Sequence, residues 1–205
     1  MRARFLRRWL REALACGAFL LACGLAAGCF APKPRIIELT DDSSAGGTIA
    51  YGIANNLLIT DAGDPLENIE REGKSFARYL DLGASFADVD GQRNYWLRAT
   101  YGGEEFLLVE LGESLVLWLD GRRLGLTGDG SVENRSRDSN GERSSTPCIE
   151  TAHYFVTADV LERIAGAQEV EVELRGRQDS IRGRFASRNR EVFREFVARF
   201  IRERK

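Results

Sequence analysis

The chain has 205 residues, with 29 Lys and Arg against 31 Asp and Glu and a formal net charge of −2. That balance argues against a nucleic-acid partner, which needs a basic surface to neutralise phosphates. Three of the four cysteines lie before residue 30 and His153 is the single histidine, which argues against a disulfide framework and leaves no ligand set for zinc.

Arg2, Arg4, Arg7, Arg8 and Arg11 precede an uncharged run from Ala13 to Phe30, most apolar over residues 13–22. A basic start, a short apolar core and small residues before a cut form the plan of an export signal. The run ends in Leu25-Ala26-Ala27-Gly28-Cys29. This resembles the signal of a bacterial lipoprotein, in which small residues precede a cysteine that is acylated and becomes the new N-terminus. The usual leucine three places before the cysteine is replaced by Ala26. Leu20-Leu21-Ala22-Cys23 is a second candidate, ranked behind Cys29. An uncleaved anchor, at the lower length limit for a span, and an ordinary cleaved signal are the alternatives, and all three export the bulk of the chain. The resemblance implies a membrane-anchored, palmitate-type lipoprotein. Phe30 stands where such lipoproteins carry an inner-membrane retention aspartate, which implies the outer membrane, facing the periplasm. Residues 1–28 hold five Arg and one Glu, so the remainder has 24 basic and 30 acidic residues, about −6.

Pro32, Pro34, Asp41 to Ser44, Gly46 and Gly47 give residues 29–47 the composition of a tether. Within it, residues 36–39 have the pattern of a short edge strand. Residues 48–205 are expected to form one domain. Ile49, Tyr51 and Ile53 alternate, Asn55-Asn56 offers a turn and residues 57–59 return as a hairpin. Asp64-Pro65 with Glu67 marks a helix start that Gly73 weakens. Nothing firmer is legible before residue 90.

From Tyr95 to Thr127 three turn signals, Gly102-Gly103, Gly112-Glu113 and Asp120-Gly121, align four strands of a meander. One face then carries rows of Leu97, Leu108, Leu117 and Leu124, of Ala99, Phe106 and Leu119, and of Leu115 with Leu126. The other face carries Trp96, Val109 and Val116, then Arg98, Leu107, Trp118 and Arg123. Two indoles on one face imply a cover: a second core layer with stacked arginines, or a binding face anchored by Trp96, Arg98, Trp118 and Arg123. Residues 128–147 are polar, with Val132 as the only aliphatic, and read as disordered or as a lid.

Cys148 to Val156 reads as a strand. Thr157 caps a helix with Val160, Leu161 and Ile164 on one side, ended by Gly166. A hairpin follows, turning at Arg177-Gln178. It sets Leu174 opposite Ile181, Val170 opposite Phe185, Glu173 opposite Arg182 and Glu171 opposite Arg184. Val192, Phe193, Phe196, Val197, Phe200 and Ile201 repeat at helical spacing near residues 189–203. The basic residues around them admit a membrane-surface helix, though a core face against the sheet is the simpler reading.

The fold expected is α+β: an antiparallel meander sheet or sandwich of six or more strands with two helices in the C-terminal half. Catalytic signals are thin. Cys148 and His153 share a strand at odd spacing and so face opposite sides, which argues against a dyad. Gly125, Gly128 and Gly130 lack the order of a nucleotide loop, and Asp88/Asp90 and Asp138/Asn140 lack the remaining calcium ligands. No cofactor or metal is expected. The leading expectation is a non-enzymatic envelope lipoprotein that binds an envelope protein partner or supports an assembly. The rivals are an exported hydrolase using His153 and a small-ligand carrier with a closed cavity behind the indoles.

Overall fold

The computed structural model describes residues 33–39, 49–65, 78–89, 91–134, 148–177 and 179–202. In chain order the strands are β1 (Arg35–Leu39), β2 (Ile49–Ala54), β3 (Ile59–Thr60), β4 (Tyr79–Val89), β5 (Gln92–Gly103), β6 (Leu111–Leu119), β7 (Arg122–Asp129), β8 (Ser131–Asn134) and β9 (Cys148–Val156). Helix α1 (Ala158–Gly166), β10 (Val170–Arg175), β11 (Ser180–Arg184) and helix α2 (Ser187–Val197) complete the fold, and α2 runs on into a π turn at Ala198–Arg202. One sheet has six strands in the order β1-β2-β4-β5-β9-β8, the other five in the order β3-β11-β10-β6-β7. All pairings are antiparallel. The α+β class, the antiparallel sheets and the two late helices are as the sequence predicts.

The inward residues of both sheets form one hydrophobic cluster, so the sheets are the layers of a sandwich. Leu80, Leu82, Leu97 and Ala99 on one side and Leu115, Leu117, Val172 and Leu174 on the other are all at most 1% exposed. Each large aliphatic buried there contributes roughly 1.5–3 kcal/mol. Helix α2 adds Val192, Phe193, Phe196 and Val197 to the core. At its end Phe196 and Phe200 pack on Phe86, and Phe200 stacks on Tyr51 with centroids 4.8 Å apart. The terminal helix is thus a core element.

Half of the meander is as predicted. Asp120 and Gly121 have φ of 50° and 77°, the left-handed pair that a tight hairpin turn requires. The register Leu117↔Leu124, Leu115↔Leu126 and Trp118↔Arg123 follows. Gly102-Gly103, however, is no turn. Both residues lie inside β5, paired with Ile149 and Cys148 of β9. Their missing side chains leave room for rings: a Cβ on Gly102 would collide with Tyr79, and one on Gly103 with Tyr101. The chain then crosses to the other sheet through residues 104–110, where Leu108 takes a left-handed φ of 57°. Leu97 and Leu108 therefore share no row with Leu117.

Three further elements differ from the sequence reading. β4 is a central eleven-residue strand in a stretch for which the sequence predicts no element; the helix expected from Asp64-Pro65 falls over 66–77, outside the described residues. Asn55 does turn, with φ of 58°, but β3 pairs with β11 of the other sheet instead of returning on β2. β8 occupies the first part of the polar stretch 128–147, whose residues 135–147 lie outside the described ones. The short edge strand expected at residues 36–39 is present as β1, which draws Arg35–Leu39 out of the tether and pairs them with β2 at the sheet edge. The C-terminal hairpin has its predicted register, Leu174↔Ile181, Glu173↔Arg182 and Glu171↔Arg184.

Candidate functional site

Side chains alternate across a strand, so register fixes where each candidate residue stands. Trp96 and Arg98 alternate with the buried Leu97 and Ala99 and face outward from the six-stranded sheet. Trp118 and Arg123 face outward from the five-stranded sheet. The four residues do not form one face, because the chain changes sheets at residues 104–110.

On the six-stranded sheet, Trp96 lies between Ser85 and Phe155, and Arg98 between Gly83 and His153. Phe155 is 71% exposed. Arg98 Nη2 donates to the Ile53 carbonyl at 3.4 Å and stands 3.9 Å from Asp81 Oδ1. Asp81 is buried, and its Oδ1 has no hydrogen-bond partner among the described residues. Burial raises its pKa to about 6, against the lowering pull of Arg98 and of the Asn56 backbone N–H. His153 is exposed, and partial burial with the facing Arg98 lowers its pKa. No Ser, Asp or Glu hydrogen-bonds it among the described residues. Cys148, on the inward parity of the same strand, is a buried thiol that donates to the Glu104 carbonyl.

On the five-stranded sheet a groove of about 490 Å³ is open to solvent along one side. Trp118 forms one wall, Ile59 and Asp61 the other, and Glu171, Arg182 and Arg184 line it between them. The register Trp118↔Glu171↔Arg184↔Ile59 runs straight across four strands and places these side chains in one row. Arg182 lies over the indole at 5.8 Å and is held by Glu173, which also binds Arg175. Glu173 is 5% exposed. Burial raises its pKa, but the two guanidiniums outweigh that and leave it lowered. Glu171, Arg184 and Asp61 make no ion pair among the described residues. Arg123, next to Trp118, pairs with Glu113, whose carboxyl fills the space above Gly125.

Two buried polar groups went unrecognised in the sequence. Glu150, 1% exposed, accepts the backbone N–H groups of Leu107 at 2.8 Å, Leu108 at 3.2 Å and Val109 at 2.6 Å, and the Ser131 hydroxyl at 2.5 Å. It thereby shapes the crossover between sheets. A glutamate on the inward parity of the strand, between Cys148 and Ala152, was the available signal. Asn56 donates to the Leu82 carbonyl at 2.6 Å and accepts from Asn189 at 2.8 Å, while Asn189 accepts the Ala186 N–H at 2.7 Å. These buried amides tie the start of α2 to the turn after β2.

No set of three His, Cys, Asp or Glu side chains able to hold a metal occurs among the described residues. No helix among them is long and apolar enough to cross a membrane. No protein-family model, curated protein or solved structure matches this chain.

Proposed function

We propose that the chain is a lipid-anchored, non-enzymatic binding module of the bacterial cell envelope, fixed through Cys29 to the outer membrane and facing the periplasm. The address rests on residues 2–29, where an arginine cluster, an apolar run and Ala27-Gly28 lead into the cysteine. One observation carries the binding role: the groove at Trp118, where an indole and side chains of both signs line an open recess outside a hydrogen-bonded sheet. Aromatic and arginine side chains held by a rigid support are the residues that dominate binding energy.

The rival chemistries find less support. A hydrolase centred on His153 needs a nucleophile or carboxylate within hydrogen-bond reach, whereas this imidazole faces a guanidinium across the strand pair. A carrier needs Trp96 and Trp118 to close one cavity, and they stand outward on different sheets.

The test is recovery of partners from membranes by the tagged full chain, beside Trp118→Ala and Cys29→Ser variants, with intact mass measured at residue 29. The reading expects an acylated N-terminal cysteine, a soluble Cys29→Ser chain and partner recovery reduced in Trp118→Ala. An unmodified Cys29 on a cytosolic product removes the envelope address. Equal recovery with and without the indole removes the groove's binding role.

A further inference from the structure

We infer that Arg98 is a proton-operated latch on the outer face of the six-stranded sheet: it holds the Ile53 carbonyl while Asp81 is protonated, and turns to the Asp81 carboxylate when that proton leaves for solvent. The device is independent of the Trp118 groove, which lies on the other sheet.

Position comes first. Register sets Gly83, Arg98 and His153 in one row across β4, β5 and β9. A Cβ on Gly83 would fall 2.4 Å from the Ile53 carbonyl oxygen and 3.5 Å from Arg98 Nη2. The missing side chain thus lets the guanidinium lie across β4 and reach that carbonyl. Arg98 Nη2 stands 3.4 Å from the Ile53 oxygen and 3.9 Å from Asp81 Oδ1. Both exceed the ~2.7–3.2 Å of a settled N–H···O bond, so Arg98 has closed neither contact. Asp81 is 7% exposed, and its Oδ1 and Arg98 Nε are buried with no hydrogen-bond partner among the described residues. One donor therefore stands between two acceptors, of which only the carboxyl titrates.

Protonation decides which acceptor wins. A hydrogen bond to a carboxylate is about twice as strong as one to a neutral oxygen, so a charged Asp81 outcompetes the Ile53 carbonyl. A neutral Asp81 does not, and the carbonyl is the nearer of the two. The other groups facing Asp81 are few. Thr100, opposite it, is engaged with Thr151 at 3.2 Å. Tyr79, on its own strand, has its pKa raised by burial and then by Asp81, and stays neutral. His153 is held low by burial and then by Arg98, and it stands on the strand beyond Arg98. The Asn56 backbone N–H completes the exchange, since it bonds the Asp81 carboxyl. When Asp81 ionises, this N–H gains a charged acceptor as the Ile53 carbonyl loses Arg98. The hold on the turn after β2 thus moves along the chain from Ile53 to Asn56, whose side chain also holds Asn189 at the start of α2. Burial, working against Arg98 and Asn56, places the change at about pH 6.

The experiment is an NMR titration of the full chain in detergent micelles from about pH 4 to about pH 8, spanning both states of the carboxyl. It follows the Asp81 carboxyl carbon, the Arg98 Nε–H and the Ile53 carbonyl carbon. All three signals should move together with one midpoint near 6. Asp81→Asn should hold the Arg98 and Ile53 signals at their acid positions throughout, and His153→Gln should leave their movement in place. Arg98→Gln should still the Ile53 signal and raise the Asp81 midpoint, because the attracting guanidinium is gone. Arg98 and Ile53 signals that stay still while Asp81 titrates overturn the latch. So does movement that survives Asp81→Asn and is lost in His153→Gln, which would assign the proton to the imidazole. An Asp81 that remains ionised down to about pH 4 overturns it as well.

Discussion

Asp81 is the residue where the sandwich stores a cost. Its carboxyl is buried beside the turn after β2, its Oδ1 has no hydrogen-bond partner among the described residues, and the Arg98 guanidinium stands 3.9 Å away. Burial lifts its pKa from 3.8 to about 6, so the folded state holds the proton more tightly than the unfolded chain. Stability from this group is then highest when both states are protonated, and it falls as pH rises from about 4 through about 6. At one unit per 1.36 kcal/mol, and allowing for local relaxation, the penalty at neutral pH is roughly 1–3 kcal/mol. Asp81→Asn should therefore melt higher than the wild type at pH 7.5 and level with it at pH 4; a pH-independent gap in melting temperature would refute this. Glu150 is the opposite case, a buried carboxylate with four donors. Glu150→Gln places an amide N–H₂ among N–H groups and should cost roughly 2–3 kcal/mol, the scale of hydrogen bonds to a charged group. Urea unfolding would show it as a lower midpoint with an unchanged slope.

Among the elements, the hairpin of β10 and β11 shows what pattern alone conveys. Its apolar face alternates cleanly, its outer face alternates in charge, and each face demands the same register, so the pairing was legible before any contact was known. Energy was not. The two rungs look equivalent in sequence, yet Glu173 is buried between two arginines while Glu171 and Arg184 form no ion pair among the described residues. Glu173→Ala should thus cost about 1 kcal/mol, limited because its arginines can return to water, and Glu171→Ala less than about 0.5 kcal/mol. Equal losses in thermal unfolding would contradict the assignment. β4 failed to be legible for a physical reason. Its outward positions include Gly83, Ser85 and Ala87, poor strand formers, which the fold needs because the Ile53 carbonyl crowds Gly83 and Ser85 sits close against Gly52. The candidate site was half legible in the same way. The Asp120-Gly121 turn put Trp118 beside Arg123 correctly. Trp96 and Arg98 were drawn onto the same face by two glycines that make room for tyrosine rings, not for a turn.

At the scale of the whole molecule, the placement of β1 bears on how the proposed anchor would hold the domain. A tether reaching to residue 47 would let the folded part range freely above a membrane. Pairing of Arg35–Leu39 with β2 leaves only residues 30–34 between Cys29 and the sheet. Five residues span at most about 18 Å when fully extended, less than the width of the six-stranded sheet at about 4.8 Å per strand interval. If Cys29 carries the lipid, the β1 edge is confined near the headgroups. The Asp120-Gly121 turn belongs to the opposite edge of the other sheet, where β7 ends the strand order. A fluorophore on Arg35→Cys should therefore be quenched strongly by spin-labelled lipid headgroups, and one on the exposed Arg122→Cys beside that turn weakly. Cys148 is buried and should escape labelling. A Cys29→Ser background should abolish the quenching at position 35. Equal quenching at both positions in a chain shown by mass to be acylated would mean that β1 releases its partner at the membrane, and the short tether would be wrong while the anchor stood.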